Sequence, residues 1–204
     1  MPRLKDSTRL ERRRRIASAA LDCFAENGIA GTTMADIIRA SGLSSGAIYS
    51  HFDSKADLLR YVMSTMLEER FTAIGDAPEA APAPTPEALV ARLLDGAAAD
   101  RSRTTVLVQV WGEISRDGDL AAVAEENLAH LRTLLIGGLR PWAEQRDGVE
   151  LGLATATRTA DLAIAVSFGY TTLLALRPSV DPEELRDHLL GALRVSSADL
   201  SAGS

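Results

Sequence analysis

Before residue 60 this chain carries a dense series of helix start and stop signals, which leaves room there for short helices only. A first helix from about Thr8 carries Leu10, Ile16, Ala20, Leu21 and Phe24 near one face and ends at Asn27-Gly28, a pair that tolerates a left-handed backbone. Thr33 can accept from free backbone N–H groups while Asp36, three residues on, reaches back as a variant capping box. The second helix it starts must stop at Ser41-Gly42, where Gly42 supplies a sharp turn. Ser44 can cap a third helix through Ser45-Gly46-Ala47-Ile48-Tyr49-Ser50-His51. Ser54 and Asp57 repeat the start signal for a fourth, running through Leu58, Leu59, Val62, Met66 and Leu67 to about Ile74. Two short helices joined by a glycine-containing turn of about three residues are the helix-turn-helix arrangement.

That arrangement reads DNA by placing the exposed face of its second helix in the major groove, with nearby groups held on phosphates. Here Gly46 and Ala47 are small enough for backbone to approach DNA, and Ser44 and Ser45 can donate from the helix start. Tyr49, His51 and Lys55 add a phenol, an imidazole and a cation at the helix end and the following turn. His51 has no Cys or His at zinc-ligand spacing, so no metal site is expected. Charge agrees: nine cations face six anions up to Lys55, a local +3, leaving −9 on the rest of a chain of net charge −6. A basic head on an acidic body suits contact with phosphate at one end only.

From Gly75 to Pro86 four prolines forbid a continuous helix and mark a linker or extended loop. Beyond it helical patterns fall at about Pro86–Ala99, Arg103–Arg116, Leu120–Leu139, Gly148–Leu176 and Asp181–Val195, and Pro141 is expected to end or kink the third of them. The tail from Ser196 is small and polar and is expected to fray. No alternating strand pattern or repeat stands out, and the apolar content is mostly Ala and Leu with 4% aromatic residues, so the expected class is all-α. Cys23, the single cysteine, reads as a small buried hydrophobe. No secretory signal follows Met1, and the weakly polar run Leu162 to Leu176 falls short of the ~20 residues of a membrane span. The expectation is a cytoplasmic protein that does not enter a membrane.

The stretch Arg15-Ile16-Ala17-Ser18-Ala19-Ala20, then Phe24-Ala25-Glu26-Asn27-Gly28, Thr32-Thr33 and Ile37, resembles the start of the TetR family of regulators. The resemblance continues through Ala40-Ser41-Gly42-Leu43-Ser44-Ser45-Gly46-Ala47-Ile48-Tyr49-Ser50-His51-Phe52, Ser54-Lys55 and Leu58-Leu59, covering roughly residues 9–60. Ile38 departs from the small Ala usual in the family. The resemblance implies a three-helix DNA-binding head, residues 1–55, joined by a fourth helix to a helical ligand-binding and dimerisation body, residues 56–204. It implies a homodimer on double-stranded DNA, in most members a repressor released from a palindromic operator by a small-molecule effector, here unidentified. By position, Ser45, Gly46 and Ala47 would face bases or backbone, with Ser44 beside them; Thr33, Tyr49, His51 and Lys55 would mainly hold phosphates. The fourth helix, following directly on Phe52–Lys55, would act as the lever.

For the ligand pocket the candidates are Trp111, Met66, His130 and Phe168. For the dimer they are Leu162, Ala165, Val166, Gly169, Thr172 and Leu173 on one helix, and Leu185, Leu189, Leu190 and Leu193 on the last. Glu113 and His130 pair with no nucleophile, and neither a cofactor loop nor a cofactor is expected, so an enzyme ranks last. The rival is a helical small-molecule sensor whose head does not bind an operator.

Overall fold

A computed structural model describes residues 3–75 and 84–199, with side chains from 8 to 66 and 84 to 193. Among them the chain is all-α: α1 Arg3–Gly31, α2 Met34–Ser41, α3 Ser45–Tyr49, α4 Lys55–Gly75, α5 Pro86–Ala98, α6 Arg101–Ile114, α7 Gly118–Asp147, α8 Val149–Leu176 and α9 Pro182–Asp199. Most of the expected loop, residues 76–83, lies outside the described residues, as does the tail beyond Asp199. The chain divides into two compact units, Met1–Leu67 with Thr105–Ala124, and Glu68–Thr104 with Glu125–Ser204.

Local side chains start the helices. Thr33, Ser44 and Thr85 accept from the backbone of α2, α3 and α5. Asp100 Oδ1 accepts from Ser102 and Arg103 N–H, Asp117 Oδ1 from Asp119 and Leu120, and Asp181 Oδ1 from Glu183 and Glu184. Each bond satisfies a donor that a helix leaves orphaned in its first turn. Gly28 breaks α1 with φ 74° and ψ 160°, a conformation essentially reserved for glycine.

The first unit closes over Ile16, Ala20 and Phe24 of α1, Ile37 of α2, Ile48 of α3, Phe52, and Leu58 and Val62 of α4. Val106 and Val110 of α6 and Leu120 of α7 complete this core. Burial of each such large side chain contributes about 1.5–3 kcal/mol. The second unit packs Leu89, Val90, Leu93 and Leu94 of α5 and Leu135 and Leu139 of α7 on a small-residue face of α8, Ala156, Ala160 and Ala163. At Gly152 α8 lies close against α7: a Cβ there would stand 2.9 Å from Glu144 backbone atoms. Tyr170, 1% exposed, donates from its hydroxyl to Pro182 O at 3.0 Å.

Two features of the long helices bear on expectations from sequence. Pro141 does not end its helix; α7 continues through it to Asp147. The ring sits on the exposed face, while Leu139 and Ala143 on either side are fully buried in the core. The lost N–H costs less than pulling those flanks out of the core. The run Leu162 to Leu176 is part of a helix of 28 residues, long and apolar enough by length and composition to cross a membrane, although α8 supplies core to the second unit.

Candidate nucleic-acid interface

The candidate surface is built on α2, the Gly42 turn and α3. At its start Thr33 and Asp36 form a complete capping box: Asp36 N–H donates to Thr33 Oγ1 at 3.3 Å, and Thr33 N–H to Asp36 Oδ2 at 3.0 Å. The Thr33 hydroxyl donates to the same carboxylate at 2.6 Å, and these bonds hold Asp36 below the ordinary carboxylate range. At the other end Gly42 takes φ 64°, and Arg15 donates through Nε and Nη2 to Ser41 O at 3.1 and 2.8 Å. A guanidinium reaching in from α1 therefore satisfies a carbonyl at the α2 C-terminus, where positive charge is favourable.

Ala47 N–H donates to Ser44 Oγ at 3.3 Å, and the Ser50 hydroxyl to Ala47 O at 2.7 Å, so α3 is held at both ends. Ile48, with no exposed surface, pins its inner face. The outer face then presents Ser44, Ser45, Gly46 and Tyr49, the last 48% exposed, with Ala47 half-buried and Thr33 exposed beside them. A Cβ added at Gly46 would meet no described atom within 4 Å, so backbone is accessible there.

Behind α3, Phe52 is 1% exposed and packs on Tyr61 at 5.3 Å between ring centroids. The Arg13 guanidinium lies 4.5 Å from the Phe52 ring centre and 4.3 Å from that of Tyr61, and donates to His51 O at 3.3 Å. His51 is half-buried, and its Nδ1 has no hydrogen-bond partner among the described residues. Burial, then Arg9, Arg13 and Arg12, push its imidazole below the ordinary value. Of the Arg12–Arg15 run, Arg13 and Arg15 bond to carbonyls of the head, although only Arg13 is half-buried; Arg12, Arg14 and Arg15 are exposed.

Lys55 Nζ donates to Ile29 O and Thr32 O, both at 2.8 Å, which ties the start of α4 to the joint between α1 and α2. The start signal there is modified: Asp57 N–H donates to Ser54 Oγ at 3.1 Å, but its carboxylate accepts from Asp53 N–H, one residue earlier than a capping box requires. Sequence reasoning offered Arg13 only within the basic run Arg12–Arg15 as a phosphate contact and missed its partners in the head, together with Tyr61 of α4 and Gln109 of α6, whose Oε1 accepts the Ile29 N–H at 3.0 Å. Nothing local could have revealed them, since their partners lie 38 and 80 residues away in the two hydrogen bonds.

The four pocket candidates are divided between the units. Trp111 and Met66 are half-buried in the first, Met66 against its core; His130 and Phe168 are exposed in the second. Cys23 is buried, and burial raises its thiol pKa.

An exposed short helix set behind a glycine turn, fixed by caps and a buried anchor, defines a helix-turn-helix protein. The family of bacterial regulatory proteins, tetR family, matches residues 16–62. The chain is 30% identical over 111 residues to the HTH-type transcriptional regulator TtgW of Pseudomonas putida, an alignment covering 53% of this chain and 79% of TtgW. It is 38% identical over 60 residues to the HTH-type transcriptional repressor KstR2 of Rhodococcus jostii, covering 29% of each, so it aligns with under a third of that relative's length. A crystal structure of a transcriptional regulator from Rhodococcus superposes over 87% of this chain and 91% of its own, with TM-score 0.71 at 20% identity. The chain belongs to the TetR family.

Proposed function

We propose that this protein is a transcriptional regulator that binds a palindromic operator as a homodimer, represses there, and is released by a small molecule. The observation that carries the reading is the outer face of α3: Ser44, Ser45, Gly46 and Tyr49 exposed together on a helix pinned from behind by Ile48. Ser45, Gly46 and Ala47 meet base edges or backbone, while Ser44, Tyr49 and His51 hold phosphates; Thr33 joins them when its hydroxyl turns from the Asp36 carboxylate to a phosphate oxygen. Lys55 spends two donors on carbonyls and keeps its charge and third donor for phosphate. In this reading residues 1–55 read DNA in the cytoplasm and residues 56–204 carry dimerisation and effector binding.

Support for the dimer comes from α8, which exposes Leu162 (46%), Leu173 (38%) and Leu176 (68%) along one flank with Ala165 and Gly169 between them. Only 33% of its most apolar window is buried, so a second copy has apolar surface to cover. Leu185, Leu189, Leu190 and Leu193 of α9 pack on the core of their own unit instead. Two heads on successive major grooves would sit ~34–36 Å apart. The effector would act by binding better to a state with the wrong head spacing.

The test is selection of genomic DNA fragments by the purified protein, repeated with Tyr49→Ala. Enrichment of a short palindrome that the variant loses, with affinity falling steeply as salt rises, supports operator binding. An intact dimer that enriches nothing leaves a sensor without DNA.

A further inference from the structure

We propose that Gln109 is a positioning residue for DNA reading: its side chain holds the joint between α1 and α2, and through it the direction of α3. The proposal rests on operator binding by α3 and adds a second control point to it, on α6 rather than α4.

The joint needs partners from outside itself. Gly28 is non-helical, so the Ile29 N–H is turned out of the α1 ladder and would be a buried, unsatisfied donor. Gln109 Oε1 accepts it at 3.0 Å and lies 3.7 Å from where a Gly28 Cβ would stand. Other polar groups of the segment are bonded too. The Thr32 hydroxyl donates to Cys23 O and Gly28 O at 3.0 and 2.8 Å, Thr32 N–H to Gly28 O at 3.1 Å, and Lys55 Nζ to Ile29 O and Thr32 O. Two of these ties reach the joint from elsewhere in the fold, Lys55 from α4 and Gln109 from α6.

Gln109 is placed by its neighbours. Val106 and Val110, 0% and 1% exposed, lock this part of α6 into the same core as Ile37 and Ile48. A shift or rotation of α6 therefore moves Oε1 relative to the Ile29 N–H. Thr33, which starts α2, is four residues from Ile29; Arg15 of α1 holds the end of α2 at Ser41 O, and the Gly42 turn and Leu43 lead from there into α3, whose Ile48 shares the same core. A change at Ile29 is passed to the reading face through elements that have little freedom to absorb it. Gln109 itself makes no contact with DNA in this scheme.

The experiment compares wild type, Gln109→Met and Gln109→Glu as full-length proteins. Methionine keeps the length and removes the acceptor; glutamate keeps an acceptor oxygen. Affinity is read by fluorescence anisotropy on the DNA fragment that wild type enriches, over a salt series, with hydrogen exchange followed at peptides spanning residues 28–34 and 44–52. Gln109→Met is expected to exchange faster at both segments and to bind about tenfold more weakly, since one buried donor is left unmet. Its salt slope should equal that of wild type because no phosphate contact is removed, and Gln109→Glu should restore affinity and protection.

Three results overturn the proposal: Gln109→Met opening the joint with undiminished affinity, a reduced salt slope, or Gln109→Glu behaving like Gln109→Met. If wild type enriches no fragment, the operator reading fails separately. The exchange data still decide positioning, because unchanged protection at residues 44–52 in Gln109→Met overturns it on its own.

Discussion

The two units of this protein are held by different means. In the first, large buried side chains carry the core, and long-range bonds from Arg13, Arg15, Lys55 and Gln109 to backbone groups fix the angles between short helices. In the second, long helices lie close because small residues let them, with Ala156, Ala160, Ala163 and Gly152 on α8. The contrast teaches what each is shaped for. A reading surface of five helical residues has no geometry of its own and must be oriented from outside. A bundle of helices such as the 28-residue α8 orients itself by packing and has apolar surface to spare.

The largest expected effect pits one core against the other. Ile48→Ala and Leu135→Ala each remove a side chain with no exposed surface and should each cost about 2–5 kcal/mol in urea unfolding. Only Ile48→Ala should also abolish operator binding under conditions where the protein remains folded. If Leu135→Ala abolished it equally, the division of labour between the units would be wrong.

A smaller effect separates two glycines. Gly28 is needed for its dihedral angles, so alanine and serine there should cost a similar amount, about 1–3 kcal/mol. Gly152 is needed for space, since an added Cβ would lie 2.6 Å from Glu144 Cγ and 2.9 Å from its backbone. Alanine there should cost about 1–3 kcal/mol and valine distinctly more. Denaturation midpoints for the four variants would show it; a size dependence at Gly28 would blur the contrast.

The smallest effect belongs to His51. Burial and the arginines hold its folded-state pKa below the ordinary 6.5, so the unfolded chain binds the proton more readily. The stability linked to this group is present above pH 6.5 and is lost as pH falls through the folded-state value. Bound phosphate would offset the arginine field and raise that value, so operator affinity should strengthen below pH 6.5. Binding and unfolding at pH 7.5 and 5.5, for wild type and His51→Gln, test both signs. A wild-type pH response that survives in His51→Gln would assign it to another group.

Much of the head was legible in the sequence because its punctuation is local. Thr33 with Asp36, Ser44 with Ala47, Gly28 and Gly42 each act within four residues, so their spacing alone specifies the break in α1, the start and stop of α2 and the start of α3. Ser44, Ser45, Gly46 and Tyr49 were named from the helix-turn-helix arrangement and the family resemblance; that Ile48 pins the opposite face is visible only in the packed head. Pro141 shows the complementary case: local chemistry allows the helix to end or kink there, and with Leu139 and Ala143 buried on either side it does not end.

What the sequence by itself determined, then, is the all-helical class, the helix-turn-helix and the face it offers, since these depend on backbone preferences over a few residues. Tertiary structure alone decided which arginines of the Arg12–Arg15 run bond to carbonyls of the head, and that Lys55 and Gln109 meet at one joint. Consecutive arginines on a helix point in different directions, and only the packed neighbours decide which direction leads to a carbonyl, a ring or solvent.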